Sequence, residues 1–252
     1  MSNRRKTIYI GIALVIYVAI IAFPTYLFTH DMLILRSIEL GLRVGYLVFI
    51  ILFTYFTKLA KSYTGSTKLK NVFLLLPIFF VAFINIFYLV VVRQSTYVYN
   101  PFNNDIFEIL RFISIIITAV EVEILFRFII QKNLTLSHKI VRILVTAAIY
   151  AVTHFFVMLY SGLGVINPID LLEVVFQFGI GIILGFLYEY TNNLVPAIAF
   201  NIIYSLSNQL LFKVTLSSNP HWSYYLTVSL FILYAAGYLS IFYFLMLKEE
   251  SR

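Results

Sequence analysis

Two carboxylates and a guanidinium lie inside one long apolar segment of the sequence, at Glu121, Glu123 and Arg127. A charge near the centre of a bilayer is costly, so such residues usually face other helices and often mark a site. Glu123 and Arg127 are four residues apart, so on a helix they share a face and can pair. Glu121 lies roughly 200° around the helix from Glu123, so the two carboxylates face different neighbours. The pattern predicts either a structural ion pair with a second polar contact, or an acid–base site on this helix.

Polar side chains also interrupt two later apolar segments. His154 lies within one of them, and Asn201 and Ser205 lie four residues apart, on one face, within another. Each of these features alone is more often a hydrogen-bonded contact between helices than a catalytic group. Together with Glu123 and Arg127, they indicate that three helices contribute polar groups to one buried site.

The composition is that of a membrane protein. Of the 252 residues, 62% are hydrophobic and only 12% are charged, against about 25% charged in soluble domains. We expect a single integral membrane domain over residues 1–252. The net charge of +7 comes from bases that cluster at the ends of apolar segments, so it reflects membrane topology and not a nucleic-acid partner. The absence of cysteine excludes disulfides, thiol nucleophiles and thiolate metal sites.

Eight apolar segments are long enough to cross about 30 Å of hydrocarbon. They cover residues 7–28, 39–57, 72–92, 106–130, 140–160, 169–188, 194–212 and 223–247. The predicted fold class is therefore all-α, a polytopic bundle of about eight transmembrane helices surrounded by lipid. Twelve Lys and Arg residues fall in the segments on the N-terminal side of the membrane and four in the connections on the other side. This asymmetry predicts a multi-pass protein of the cell membrane with both termini in the cytoplasm.

The polar segments resemble the motifs of a known family. Glu123-Ile124-Leu125-Phe126-Arg127 is similar to the latter part of the Glu-Glu-x-x-x-Arg motif of the CAAX-protease and bacteriocin-processing (CPBP) family, also called Abi. The run from Tyr150 to His154 resembles its second motif, an aromatic residue four before a histidine. Residues 181–188 and 191–198 resemble the run that leads to its third motif. The three pieces come in order over roughly residues 106–210, which we take as the CPBP-like core.

The resemblance implies an intramembrane endopeptidase. In active members a first-motif Glu and a second-motif His activate a water molecule, and a third-motif His and Asn stabilise the oxyanion. In this sequence Val122 occupies the position of the first Glu, and Glu123 occupies the second. His154 is the second-motif His, while Asn201 and Ser205 occupy the third-motif positions. The site residues implied are Glu123, His154, Glu121, Arg127, Asn201 and Ser205.

Val122 can do no acid–base chemistry, so this sequence lacks the first-motif Glu that would activate water. Glu121 would substitute only if the helix were locally over- or underwound, as in a π-bulge. Asn201 and Ser205 retain hydrogen-bond donors, so an oxyanion role stays open. The family has been described as metal-dependent, but a hydrolytic zinc site normally takes about three protein ligands. Only Glu123, His154 and Glu121 are candidates here, so no cofactor is expected.

Three functions remain open at this point. The first is an intramembrane endopeptidase that cleaves peptide or membrane-anchored substrates, with Glu123 or Glu121 and His154 handling the water. The second is a catalytically impaired relative that binds a membrane partner, for instance in bacteriocin self-immunity or in control of a membrane enzyme. The third is a small-solute transporter. We expect a polar cavity among the fourth, fifth and seventh spans, open toward the cytoplasm, and composition suits a bacterial membrane.

Overall fold

The computed structural model describes residues 3–23, 31–57, 59, 106–136, 138–161, 168–209 and 237. Every regular element in these residues is helical: α1 (Asn3–Ile21), α2 (Met32–Thr57), α3 (Ile106–Glu123), a π-helix (Ile124–Gln131), α4 (Lys139–Ser161), α5 (Pro168–Thr191) and α6 (Leu194–Gln209). The π-helix continues α3 without a break, so α3 and the π-helix together correspond to one predicted span. The all-α prediction is confirmed for this part of the chain.

Six of the eight predicted spans coincide with these helices to within a few residues at most ends; α2 begins earlier, at Met32. The spans at 72–92 and 223–247 lie outside the described residues, apart from Gly237, which is helical. Two described segments, Leu33–Thr57 and Lys139–Phe156, have the length and apolar composition needed to cross a membrane. The number of eight spans therefore stays a prediction.

The second helix has a capped start and a hydrogen bond to the first helix. The Asp31 carboxylate accepts hydrogen bonds from the backbone N–H groups of Leu33 and Ile34 and so caps the start of α2. Further along, the Tyr46 hydroxyl donates to the carbonyl oxygen of Ala13 in α1 over 3.1 Å. This second contact fixes the position of α2 along α1.

The outer face of α2 is apolar and open. Val48, Ile51, Tyr55 and Phe56 are all at least half exposed. Exposed apolar side chains of this size suit a helix whose outer face meets lipid.

Aromatic rings connect four helices in the centre of the bundle. Tyr17 of α1 contacts Tyr46 of α2 and Phe126 of the π-helix, with centroid distances of 5.4 and 5.9 Å. Phe126 in turn meets Tyr150 of α4 edge to face at 5.1 Å. These four rings are at least 95% buried, so the π-helix packs in the core of the bundle.

Two glycines of α5 allow it to approach α4 closely. A Cβ atom added at Gly181 would lie 3.0 Å from the Cα and Cβ atoms of Ala147. One added at Gly185 would lie 2.8 Å from Ile143 and 3.1 Å from the side-chain oxygen of Gln131. The two glycines are four residues apart and form the small-residue interface that lets transmembrane helices pack backbone to backbone. The predicted third-motif run is therefore a helix-packing surface in this protein.

The corner between α5 and α6 is two residues long. Asn192 has a positive φ of 48°, a conformation that asparagine tolerates better than most residues. Asn193 accepts a hydrogen bond from the Val195 N–H and caps α6. The corner lies between the predicted spans at 169–188 and 194–212.

Candidate functional site

The π-helix begins directly after Glu123 and places the site residues that follow. Its register is evident at the end, where the Lys132 N–H donates to the carbonyl oxygen of Arg127, five residues back. In an α-helix, residues four apart overshoot one full turn by about 40°. A π-helix takes more residues per turn and counters that drift. The side chains of Glu123, Arg127 and Gln131 consequently lie along a single face.

Glu123 is completely buried and fully bonded. Its Oε2 atom accepts from Arg127 Nε at 3.2 Å, and its Oε1 atom accepts from the Asn201 side-chain amide at 2.8 Å. The Asn201 Oδ1 atom accepts in turn from the Ser205 hydroxyl at 3.2 Å. The structure thus brings four of the six predicted site residues into one hydrogen-bonded row, but the Asn201 amide points its donor at a carboxylate.

The row continues toward the other end of the bundle. Arg127 NH1 donates to the Gln131 side-chain oxygen, and Gln131 donates to the Gly185 carbonyl oxygen at 3.0 Å and to Glu189 at 3.2 Å. Glu189 also pairs with Arg142 of α4. We call this series the polar ladder: Ser205, Asn201, Glu123, Arg127, Gln131, Glu189 and Arg142.

The central side chains of the polar ladder are packed without exposure to solvent. Glu123, Arg127 and Gln131, its three central members, are 0% exposed, so no water-filled path runs along them. A solute pathway requires space between polar groups, and this row has its groups bonded to each other. The transporter interpretation therefore gains no support from this row.

Glu121 belongs to a different cluster. Its Oε1 atom pairs with Arg43 of α2, and the Tyr17 side chain of α1 lies close to the same guanidinium. Glu121 is 0% exposed, and its Oε2 atom is buried without a hydrogen-bond partner. Both carboxylates precede the π-helix and lie in α3 itself, so the unwinding does not bring them together.

The His154 side chain is hydrogen-bonded within its own helix. Its Nδ1 atom is 3.1 Å from the carbonyl oxygen of Tyr150, and its ring lies 4.4 Å from the Tyr150 ring. A carbonyl oxygen only accepts, so Nδ1 donates and the neutral ring keeps Nε2 as its acceptor. Within the described part of the chain, no hydrogen bond joins His154 to Glu121 or Glu123. In the described residues, the predicted base and the predicted histidine are therefore not joined by a hydrogen bond.

The donor set does not fit a hydrolytic metal. Among residues 3–23, 31–57, 106–136, 138–161 and 168–209, no three His, Asp or Glu side chains converge as ligands of one ion would. Glu121 and Glu123 each face a guanidinium, which a metal ion would have to displace. No step of the proposed chemistry is therefore assigned to a metal.

A cavity of about 330 Å³ opens beside the Arg43–Glu121 pair. It is lined from α1 and the residues after it, from α2, from residues 114–118 of α3 and from Ser205 of α6. The predicted cavity was to involve the fifth span and to open toward the cytoplasm. The observed one has no described lining residue from α4, and Thr118 on its wall lies about 20 Å along the helix from Gln131. It opens at the opposite end of the bundle from the loop at 131–139.

Sequence reasoning missed several participants in these clusters. Gln131 and Glu189 complete the polar ladder, and Arg43 pairs with Glu121. Arg43 had a usable signal, since it is a charge inside an otherwise apolar segment and needs a buried partner. Gln131 gave no such signal, because it stands at the end of a span where polar residues are ordinary.

Residues 105–207 match the family model described as type II CAAX prenyl endopeptidase Rce1-like. The chain matches none of the curated proteins and none of the solved structures with which it was compared. The matched range coincides with the predicted core at 106–210 and contains α3, the π-helix, α4, α5 and most of α6. The predicted CPBP resemblance is confirmed over residues 105–207, which are similar to this family of CAAX endopeptidases.

Proposed function

We propose that this chain keeps the scaffold of its family, has lost efficient peptide hydrolysis, and acts by binding a peptide or membrane-protein partner. One observation carries the proposal: each candidate carboxylate is bound to a guanidinium, Glu121 to Arg43 and Glu123 to Arg127. Arginine stays protonated inside proteins. A carboxylate held by it cannot take a proton from water without breaking a buried ion pair, which is costly.

The surroundings of these pairs support the same conclusion. A general base must be within hydrogen-bond reach of the water, directly or through one more water. Val122 stands where the family has its first Glu, and it is 3% exposed among apolar side chains. The Asn201 amide, a candidate oxyanion donor, is engaged by Glu123.

The cellular setting is part of the proposal. We place the chain in a bacterial cell membrane with both termini in the cytoplasm, in contact with lipid and without a cofactor or nucleic acid. Suitable roles for a binding protein of this kind are self-immunity against a bacteriocin and control of a sensor kinase or a cell-wall enzyme. Residues 1–252 would act as one membrane domain.

The test is complementation of a deletion strain at matched protein abundance. The informative variants are His154→Ala and Glu121→Gln, which remove the two groups that a hydrolytic mechanism would need. The matched controls are His138→Ala, an exposed histidine of the connecting loop, and Asp31→Asn, an exposed carboxylate whose replacement keeps an oxygen to cap α2. We expect all four variants to complement, because binding does not require a base.

Loss of function in His154→Ala and Glu121→Gln, with both controls active and all variants equally abundant, would overturn the proposal. That result would establish the second candidate, an endopeptidase in which Glu121 and His154 activate the water. One observation favours this candidate: the Glu121 Oε2 atom is buried with no hydrogen-bond partner, so it is a carboxylate oxygen still open to a water.

A further inference from the structure

The cavity beside Arg43 and Glu121, which we call the hairpin cavity, is built largely by helices outside the family match. Its walls combine apolar side chains of α1 and α2 with polar groups of α2, α3 and α6. The polar lining consists of Arg36, Glu39, Arg43, Ser114, Thr118 and Ser205. At about 330 Å³ it lies at the lower end of the range for ligand sites, roughly 300 to 1,000 Å³. A cavity with polar and apolar walls suits an amphiphilic occupant.

Among the described residues at the hairpin cavity, the charges are balanced. Arg36 pairs with Glu39 at 2.7 Å, and Arg43 pairs with Glu121 just behind the wall. Glu121 is 0% exposed, so a further charge placed beside its pair with Arg43 would be costly. The balance therefore disfavours a carboxylate or an ammonium group and favours an uncharged occupant.

The remaining polar groups are rich in donors. A guanidinium has five N–H donors, and Arg43 directs only part of them to Glu121. The Arg43 side chain is 21% exposed and lies on the cavity wall. Ser114 and Thr118, one turn apart on α3, add two hydroxyls to the same wall. Such a wall matches an occupant with several carbonyl oxygens.

The backbone conformation of a peptide occupant follows from the same donors. A helical peptide satisfies its own carbonyl groups inside the helix, as it must in a membrane. An extended peptide has carbonyl oxygens that still need partners. Ile20, Ile21 and Leu42 line the cavity beside the polar wall and offer contacts for apolar side chains.

We propose that the hairpin cavity binds a short, extended, uncharged peptide segment with apolar side chains. Ser114, Thr118 and Arg43 donate to its carbonyl oxygens, and α1 and α2 contact its side chains. The inference rests on the proposed function, since it names the class of partner that the non-hydrolytic protein would hold. It also gives α1 and α2, which the family match does not include, a direct part in recognition.

The experiment uses the full chain in lipid nanodiscs and a defined probe, the peptide Leu-Ala-Leu-Ala-amide with a neutral dye on its N-terminus. Binding is followed by fluorescence anisotropy. Ser114→Leu and Thr118→Leu fill the cavity, and Thr118→Val removes one hydroxyl at nearly constant volume. Ser37→Leu, on an exposed part of α2, is the matched control. Size-exclusion profiles and thermal unfolding verify that each variant is folded.

We expect saturable binding that Ser114→Leu and Thr118→Leu each weaken by about tenfold or more, that Thr118→Val weakens by a smaller factor, and that Ser37→Leu leaves unchanged. The same peptide with a free C-terminal carboxylate, and oleate as an anionic lipid chain, should compete no better than the amide. Absence of saturable binding, equal binding by folded cavity variants, or tenfold tighter binding of either anion would overturn the inference.

Mass spectrometry of the recovered probe separates this inference from the proposed function. Cleavage of the peptide would refute the non-hydrolytic proposal, while the dependence of binding on Ser114 and Thr118 would still stand. Intact peptide without cavity-dependent binding would refute the assignment of the cavity alone.

Discussion

The buried Glu123–Arg127 pair can be broken from either side, and the cost follows from its burial. Both side chains are 0% exposed. Arg127→Met leaves the Glu123 carboxylate with the Asn201 amide as its only partner, and Glu123→Gln leaves the guanidinium with Gln131 at 3.4 Å. Removing one partner of a buried ion pair costs about 3 to 5 kcal/mol, because the other charge stays buried without compensation.

The double variant Glu123→Gln/Arg127→Met removes both charges together. Gln at position 123 still offers an oxygen to the Asn201 amide, and Met fills the volume of the Arg127 stem. Replacing a buried pair by neutral groups of similar size is often close to neutral. We therefore expect the double variant to be more stable than either single variant, with a coupling free energy of at least about 2 kcal/mol.

The assay is reversible unfolding of the protein in bicelles, followed for the unmutated chain, the two single variants and the double variant. The control cycle uses Arg36→Met and Glu39→Gln, whose side chains are 39% and 35% exposed; such a surface pair should couple by less than about 1 kcal/mol. If the effects at Glu123 and Arg127 add to within about 0.5 kcal/mol, the pair is not the structural element described here.

Three further outcomes follow from the packing. Gly185→Ala should destabilise the protein by about 1 to 3 kcal/mol through the clash with Ile143, whereas Gly179→Ala, with nothing within 4 Å, should be neutral or slightly stabilising; equal effects in unfolding would contradict the close packing of α4 and α5. Asn192→Val should cost about 1 to 2 kcal/mol because of the positive φ, and Asn192→Gly should not; comparison of their unfolding midpoints tests the corner. Val122→Glu should destabilise more than Val122→Gln, since it buries an extra charge, and it should produce no peptidase activity; cleavage of a membrane peptide by a stable Val122→Glu protein would show that the scaffold lacks only that carboxylate.

The helices could be predicted from the sequence because each is a long apolar segment bounded by polar residues. The pairing of Glu123 with Arg127 was also predictable, since it depends only on local spacing. The short corner at Asn192 and Asn193 fits two adjacent asparagines, because asparagine both tolerates positive φ and caps helices.

The partners of Glu121 and Asn201 could not be predicted in the same way. They lie on other helices, 78 residues away in each case, and local spacing says nothing about the rotation of one helix against another. The π-helix was equally hidden: Ile124 to Gln131 reads as an ordinary apolar helix segment, and the change of hydrogen-bond register arises from the packing around it. The position of the cavity depends on α1 and α2, for which the motifs carry no information.

The polar ladder explains why a protein that does not hydrolyse peptides would still keep Glu123, the second Glu of the first motif. Within the ladder, Glu123, Arg127, Glu189 and Arg142 alternate in sign, so the described charges balance. Gln131 bridges the two ion pairs, and Gly185 leaves room for its side-chain oxygen, which an added Cβ atom would approach to 3.1 Å. Loss of Glu123 or Arg127 would leave the opposite charge fully buried. The position held by Val122 has no place in this balance, and an apolar residue there adds to the core instead. Each of Glu123 and Arg127 therefore needs the other for stability whether or not the chain hydrolyses peptides, so the presence of the pair is evidence for the scaffold and not for catalysis.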